Sequence, residues 1–193
     1  MPKRPNVLPE TASQTAGPYV HIGLMPCIAG LDRPKDLGNE IAGPEAAGER
    51  IRVQGLVRDG AGDAVKDALI EVWQANAAGV YPGAGTVEPG FRGWGRVAAD
   101  FETGAWAFDT VKPGAVDGQA PHINLWIVAR GINIGLNTRL YFEDEAEANA
   151  TDPLLTQVPA ARRGTLIAQL CDDQTYRFDI RLQGEGETVF LGI

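Results

Sequence analysis

Apolar and polar residues along much of this chain alternate with a period of two, as strands do when successive side chains point to opposite faces. Ile51, Val53, Gly55 and Val57 alternate with Arg52, Gln54, Leu56 and Arg58, and Asp59-Gly60-Ala61-Gly62-Asp63 then supplies a turn. Ala68 to Gln74 reads as a second strand, ended by Asn76 through Gly79. Arg96 to Phe101 and Ala105 to Val111 read as a hairpin joined near Thr103-Gly104. His122 to Arg130 is a long strand, and Leu136 to Phe142 follows the turn region Gly131 to Gly135. Tyr176 to Gln183 alternates again, with Phe178, Ile180 and Leu182 on one face. Only two stretches suggest helix, roughly Glu143 to Ala150 and Ala160 to Gln169. Short strands between Gly-rich turns predict an all-β fold, a β-sandwich of mainly antiparallel strands with one or two short helices.

Residues 1–50 lack this period and are rich in Pro and Gly, yet they carry Val7, Leu8, Tyr19, Val20, Ile22, Leu24 and Met25. That apolar content predicts a long N-terminal arm laid across another surface, a partner chain, ahead of a sandwich domain over 51–193.

Composition narrows the functional classes. A chain of 193 residues fits one domain with a substantial core. A net charge of −8 argues against nucleic acid as a partner. No run of about eighteen apolar residues is present, so no membrane helix is expected. Met1-Pro2-Lys3-Arg4-Pro5-Asn6 does not lead into an apolar core, so no export signal is expected either. Cys27 and Cys171 have no metal-type spacing and are too few for a disulfide scaffold, which fits a reducing cytoplasm. Thirteen of the seventeen basic residues are Arg, a side chain suited to forked contacts with carboxylates at interfaces.

Several familiar chemistries are absent. Gly83-Ala84-Gly85 lacks the third glycine of a phosphate loop, and no G-x-S-x-G elbow occurs. His122 and Asn124 stand two apart on a predicted strand and share a face. A His-x-His pair there would clamp a metal, but Asn is a poor ligand. Trp73 to Tyr81 closes a strand and offers a phenol. The acidic run Glu143-Asp144-Glu145 with Glu147 reads as a helix opening rather than a cation site. Trp73, Trp94, Trp106 and Trp126 read as core or interface aromatics, and His21 as structural. Arg139, Arg177 and Arg181 read as interface or surface pairing residues.

The chain resembles the intradiol ring-cleaving dioxygenases. The likeness rests on Pro9-Glu10-Thr11-Ala12-Ser13-Gln14-Thr15-Ala16-Gly17-Pro18-Tyr19, Glu71-Val72-Trp73-Gln74-Ala75-Asn76, Ala120-Pro121-His122-Ile123-Asn124, Ala129-Arg130-Gly131-Ile132-Asn133-Ile134 and Arg181-Leu182-Gln183-Gly184-Glu185-Gly186-Glu187-Thr188. In that family two tyrosines and two histidines bind a ferric ion. The resemblance places those positions at Tyr81, Val116, His122 and Asn124, so two of the four offer no suitable donor. It therefore implies an alpha-type chain with a vestigial site, which does not bind Fe(III) and works beside an iron-bearing beta chain in a hetero-oligomer. It further implies that Arg130, Thr15, Gly17 and Pro18 border the partner's substrate cavity. The implied substrates are protocatechuate and dioxygen, and the implied product is 3-carboxy-cis,cis-muconate, in the β-ketoadipate route of aromatic catabolism.

Strand geometry agrees with that division of labour. Arg130 lies eight residues beyond His122, so an unbroken strand would set them roughly 26 Å apart, too far for one compact site. Two other readings stay open: an iron-binding homo-oligomer with substitute ligands around Tyr81 and His122, and a small-molecule carrier sandwich with no partner.

Overall fold

The computed structural model describes residues 16–17, 19–31, 40–172 and 174–192. Nine strands dominate: β1 (Arg50–Arg58), β2 (Leu69–Gln74), β3 (Trp94–Ala98), β4 (Ala105–Val111), β5 (His122–Val128), β6 (Leu136–Phe142), β7 (Ile167–Asp172), β8 (Thr175–Arg177) and β9 (Ile180–Arg181). Short helices are α1 (Tyr19–Leu24), α2 (Ala146–Thr151) and α3 (Ala160–Arg163). The expectation of a strand-dominated chain with few short helices is met. The sheet runs as one hydrogen-bonded path, β3-β2-β5-β6-β7-β8-β1-β4, with β9 added on β1. It curls into an almost closed, barrel-like wall. Most pairings are antiparallel, but β6–β7, β1–β8 and β1–β9 are parallel.

The alternating pattern explains the core. Ile51, Val53 and Val57 of β1, Ile70 and Val72 of β2, and Ile123, Leu125 and Ile127 of β5 all point inward. Trp106, Phe108, Tyr176 and Phe178 complete the interior. Gly55 is required where β1 passes the segment after β8, since a Cβ there would sit 2.0 Å from the Phe178 carbonyl oxygen. Burying each such Leu, Ile or Phe side chain contributes about 2 kcal/mol.

Four local expectations are corrected. Arg96 to Phe101 and Ala105 to Val111 do not form a hairpin ladder: β3 pairs with β2, and β4 pairs with β1. The 99–104 turn, tied by the Asp100 carboxylate to Thr103, carries the chain between the two ends of the sheet path instead. The helix expected over 160–169 stops at Arg163, passes through a 3-10 turn at Gly164–Leu166, and becomes β7 because Ile167 and Ala168 pair with Tyr141 and Phe142. The strand expected from His122 to Arg130 ends at Val128, leaving Arg130 in a turn. Tyr176 to Gln183 likewise divides into β8 and β9.

Residues of the arm also fold onto this chain. Ile41 is fully buried in the main core, and the Arg50 guanidinium donates to the carbonyls of Ala42, Gly43 and Ala46. α1 was not expected. It docks Val20, Leu24 and the adjacent Met25 against Leu69 and Val128, while Tyr19 and Ile22 face outward. No helix among the described residues is long and apolar enough to cross a membrane.

Candidate functional site

Two loops and two strands build the site. After β2, Asn76 accepts the backbone N–H groups of Ala78 and Val80 on its side-chain oxygen and donates to Glu88, bending the chain so that Tyr81 returns over β5. The Lys112-Pro113-Gly114 turn docks on that bend, with Gly114 N donating to Asn76 O at 2.9 Å. A side chain at Gly79 is excluded, because its Cβ would stand 2.0 Å from the Ala115 carbonyl oxygen. The next turn sets Asp117 and Gly118 at positive φ and pairs Val116 with Gln119 through two backbone hydrogen bonds. In the β5–β6 ladder His122 faces Tyr141 and Asn124 faces Arg139.

These elements bring Tyr81, His122 and Asn124 together into a directed hydrogen-bond chain. His122 Nδ1 lies 2.8 Å from the Ala120 carbonyl and must donate to it, leaving Nε2 as an acceptor. The Tyr81 hydroxyl donates to that Nε2 at 3.1 Å and accepts from Asn124 Nδ2 at 2.9 Å. Asn124 Oδ1 accepts from Arg139 Nε at 2.7 Å, and Arg139 Nη1 donates to Gln119 Oε1 at 2.6 Å. Below His122, the fully buried Asp152 accepts from the N–H groups of Ala120, Leu154 and Leu155 and from the Tyr141 hydroxyl. Trp73 stacks on Tyr81 at 5.6 Å between ring centres. Trp73, Tyr81, Trp94, Trp126 and Arg139 line an open cleft of about 470 Å³ on this outer face.

Burial sets the protonation states. It raises the Tyr81 hydroxyl above its ordinary value, against the opposing influence of Asn124 and Arg139, so the phenol keeps its proton near neutrality. Burial lowers the His122 imidazole, which stays neutral. Tyr141 is pushed up to about 12, chiefly by burial.

A ferric ion held as the resemblance implies would need four donors here, and the residues present do not fit one. Val116 has no donor atom, and the Asn124 oxygen is already bound by a guanidinium. Tyr81 and His122 spend on each other the hydroxyl and the ring nitrogen that a metal would take. Among the described residues, no group of three or more His, Cys, Asp or Glu side chains is arranged for a metal. The acidic run is used otherwise. Asp144 and Glu145 form a 3-10 turn with Glu143 and hold the Lys112 ammonium at 2.6 and 2.8 Å. Burial opposes the charge on Lys112, but these two carboxylates outweigh it and hold the amine above its ordinary range.

The far end of β5 has a different character. Arg130 is 64% exposed, and among the described residues its ion pair is a 3.3 Å contact to Asp67. Gly17 lies at the same corner: Ala16 N donates to Ile132 O at 3.4 Å, and Gly17 O accepts from Val20 N as α1 begins. His21 is buried there against Phe101, with rings 5.2 Å apart, as expected of a structural histidine. Thr15 and Pro18 fall outside the described residues. Arg139 corrects the expectation of a surface or interface residue, because it belongs to the Tyr81–His122–Asn124 cluster. Counting the β5–β6 ladder from the Gly131–Gly135 turn would have found it, since that register sets residue 139 opposite 124.

Comparison with known proteins agrees with the resemblance. The family model described as Dioxygenase matches residues 28–184. The protocatechuate 3,4-dioxygenase alpha chain of Pseudomonas putida is 54% identical over 96% of this chain and 97% of its own length. The protocatechuate 3,4-dioxygenase beta chain of Burkholderia cepacia is 37% identical over 78% of this chain and 71% of its own length. Among solved structures, an intradiol ring-cleavage dioxygenase from Tetranychus urticae shares the fold with a TM-score of 0.62 at 18% identity, covering 78% of this chain and 88% of that one.

Proposed function

This chain belongs to the dioxygenase family, and from that premise we propose that it is the alpha-type, metal-free half of a protocatechuate 3,4-dioxygenase. The observation that carries this reading is the closed cluster at Tyr81, His122, Asn124 and Arg139, whose donors and acceptors are matched internally. Fe(III) is then held by a related beta chain, and the two chains form a hetero-oligomer in the cytoplasm. The assembly inserts both atoms of dioxygen into protocatechuate and opens the ring between its hydroxyl-bearing carbons to give 3-carboxy-cis,cis-muconate.

This chain contributes a wall of the partner's substrate cavity. Arg130, exposed and weakly paired, attracts and orients the substrate carboxylate. Gly17, at the same corner, allows close backbone approach, and the resemblance assigns Thr15 and Pro18, which lie outside the described residues, to the same cavity. The outward Tyr19 and Ile22 of α1, together with Ile28 and Leu31, supply the apolar surface on which the arm region meets the beta chain. The curled sheet acts as a two-layer sandwich, with β2, β3, β5 and β6 on one side and β1, β4 and β8 on the other.

The test is metal analysis of the full chain purified alone after ferric loading. It should hold less than about a tenth of an ion per chain and show no tyrosinate colour. Stoichiometric, coloured iron would overturn the reading. Co-production with the related beta chain should yield one co-eluting species that consumes oxygen with protocatechuate.

A further inference from the structure

Missing ligands alone leave one feature of the remnant unexplained. The cation of Arg139 is turned into the cluster, where its direct partners Asn124 and Gln119 are neutral. Its Nε donates to Asn124 and its Nη1 to Gln119. Asn124 is itself one former ligand position. Gln119 is joined by two backbone hydrogen bonds to Val116, a second. Through Asn124 the guanidinium is relayed to Tyr81, and through Tyr81 to His122, the other two. One side chain thus bonds Asn124 directly and reaches Tyr81 and His122 through a single chain of hydrogen bonds, while its second partner, Gln119, is paired by backbone to Val116.

The surroundings reinforce this. Among the described ion pairs no carboxylate touches Arg139 directly; its nearest anion is the Asp152 carboxylate, one step away through the Tyr141 hydroxyl. The Asn124 and Gln119 oxygens are aimed at a planar fork with donors to give, and a bare metal ion would need the same lone pairs. A multivalent cation entering beside it would meet like charge at close range.

We propose that the Arg139 guanidinium occupies the seat of the metal, acting as a built-in cation that organises the remnant and excludes iron independently of the two lost ligands. This rests on the metal-free reading above. It predicts that replacing the ligands is not enough to restore a ferric centre.

The experiment uses the full chain in three forms: wild type, Val116→Tyr/Asn124→His, and Val116→Tyr/Asn124→His/Arg139→Gln. Each is loaded with ferrous iron, oxidised in air and desalted, then assayed for iron per chain and for visible tyrosinate-to-iron absorption. The triple variant should hold close to one coloured iron and the double variant about tenfold less. Equal iron in the two, or a folded triple variant without iron, would overturn the proposal. Iron in the wild type would instead defeat the metal-free reading, so the two failures are distinguishable.

Should the triple variant fail to fold, chemical rescue decides. Arg139→Ala should melt at a higher temperature in millimolar guanidinium chloride than in the same concentration of sodium chloride, while the wild type should not. Absence of that difference would overturn the proposal.

Discussion

The two ends of β5 lie on one strand and yet have opposite chemical character. At the His122 end a connected run of hydrogen bonds joins Asp152, Ala120, His122, Tyr81, Asn124 and Arg139. At the Arg130 end the cation stands in solvent with one long contact, beside a helix whose Tyr19 is 80% exposed. The first end spends the polar atoms of Tyr81, His122 and Asn124 on one another. The second has charge and apolar surface to offer another molecule. If the proposed function holds, one strand carries a closed polar cluster at one end and a wall of a neighbour's cavity at the other.

The largest separation of the two ends should come from Asp152→Ala. It strands the buried Ala120, Leu154 and Leu155 N–H groups and the Tyr141 hydroxyl, and should cost about 4 kcal/mol in urea unfolding. A loss under about 1 kcal/mol would show that this end is not held by its polar network. Tyr81→Phe removes one link of the same chain and should cost about 1.5 kcal/mol, leaving His122 Nε2 without its donor. At the other end Arg130→Ala should move stability by less than about 0.5 kcal/mol. In the assembled enzyme, however, it should lower kcat/KM for protocatechuate about tenfold with iron content unchanged. Unaltered kinetics would remove Arg130 from the cavity wall.

The smallest effect concerns His21, buried between α1 and the sheet. Burial lowers its imidazole below the ordinary value, with Arg130 adding to that and Asp67 opposing it. The unfolded chain then takes up a proton that the folded chain refuses. The stability from this group is intact above about pH 6.5 and lost as pH falls below it. The urea midpoint should therefore fall between pH 7.5 and 5.5 more in the wild type than in His21→Phe.

Much of this was legible in the residues. Alternation located β1, β2, β5 and β6 because each has one face in the core. Their pairing was less accessible. The stretches around β3 and β4 look like a hairpin because a turn joins them, but each finds its partner elsewhere, a choice made by the curled sheet rather than by the turn. Ile167 to Gln169 has helical composition and is drawn into strand by the free edge of β6, where tertiary pairing overrides propensity. α1 is six residues flanked by Gly and Pro, too short for a periodic signal. Positions 81, 116, 122 and 124 were named from the resemblance, and the structure brings Tyr81, His122 and Asn124 together. Arg139 carries no local sign of its role and becomes legible only when the β5–β6 register is counted back from the Gly131–Gly135 turn.

β1 has one further consequence. It pairs with β4 on one side, but on the other it waits for β8 and β9, more than a hundred residues later. During synthesis on the ribosome its second edge stays open until nearly the whole polypeptide has emerged, and such edges invite pairing with other nascent chains. Successful production should therefore depend on chaperone shielding late in translation. Truncations before Thr175 should aggregate rather than yield a smaller folded domain.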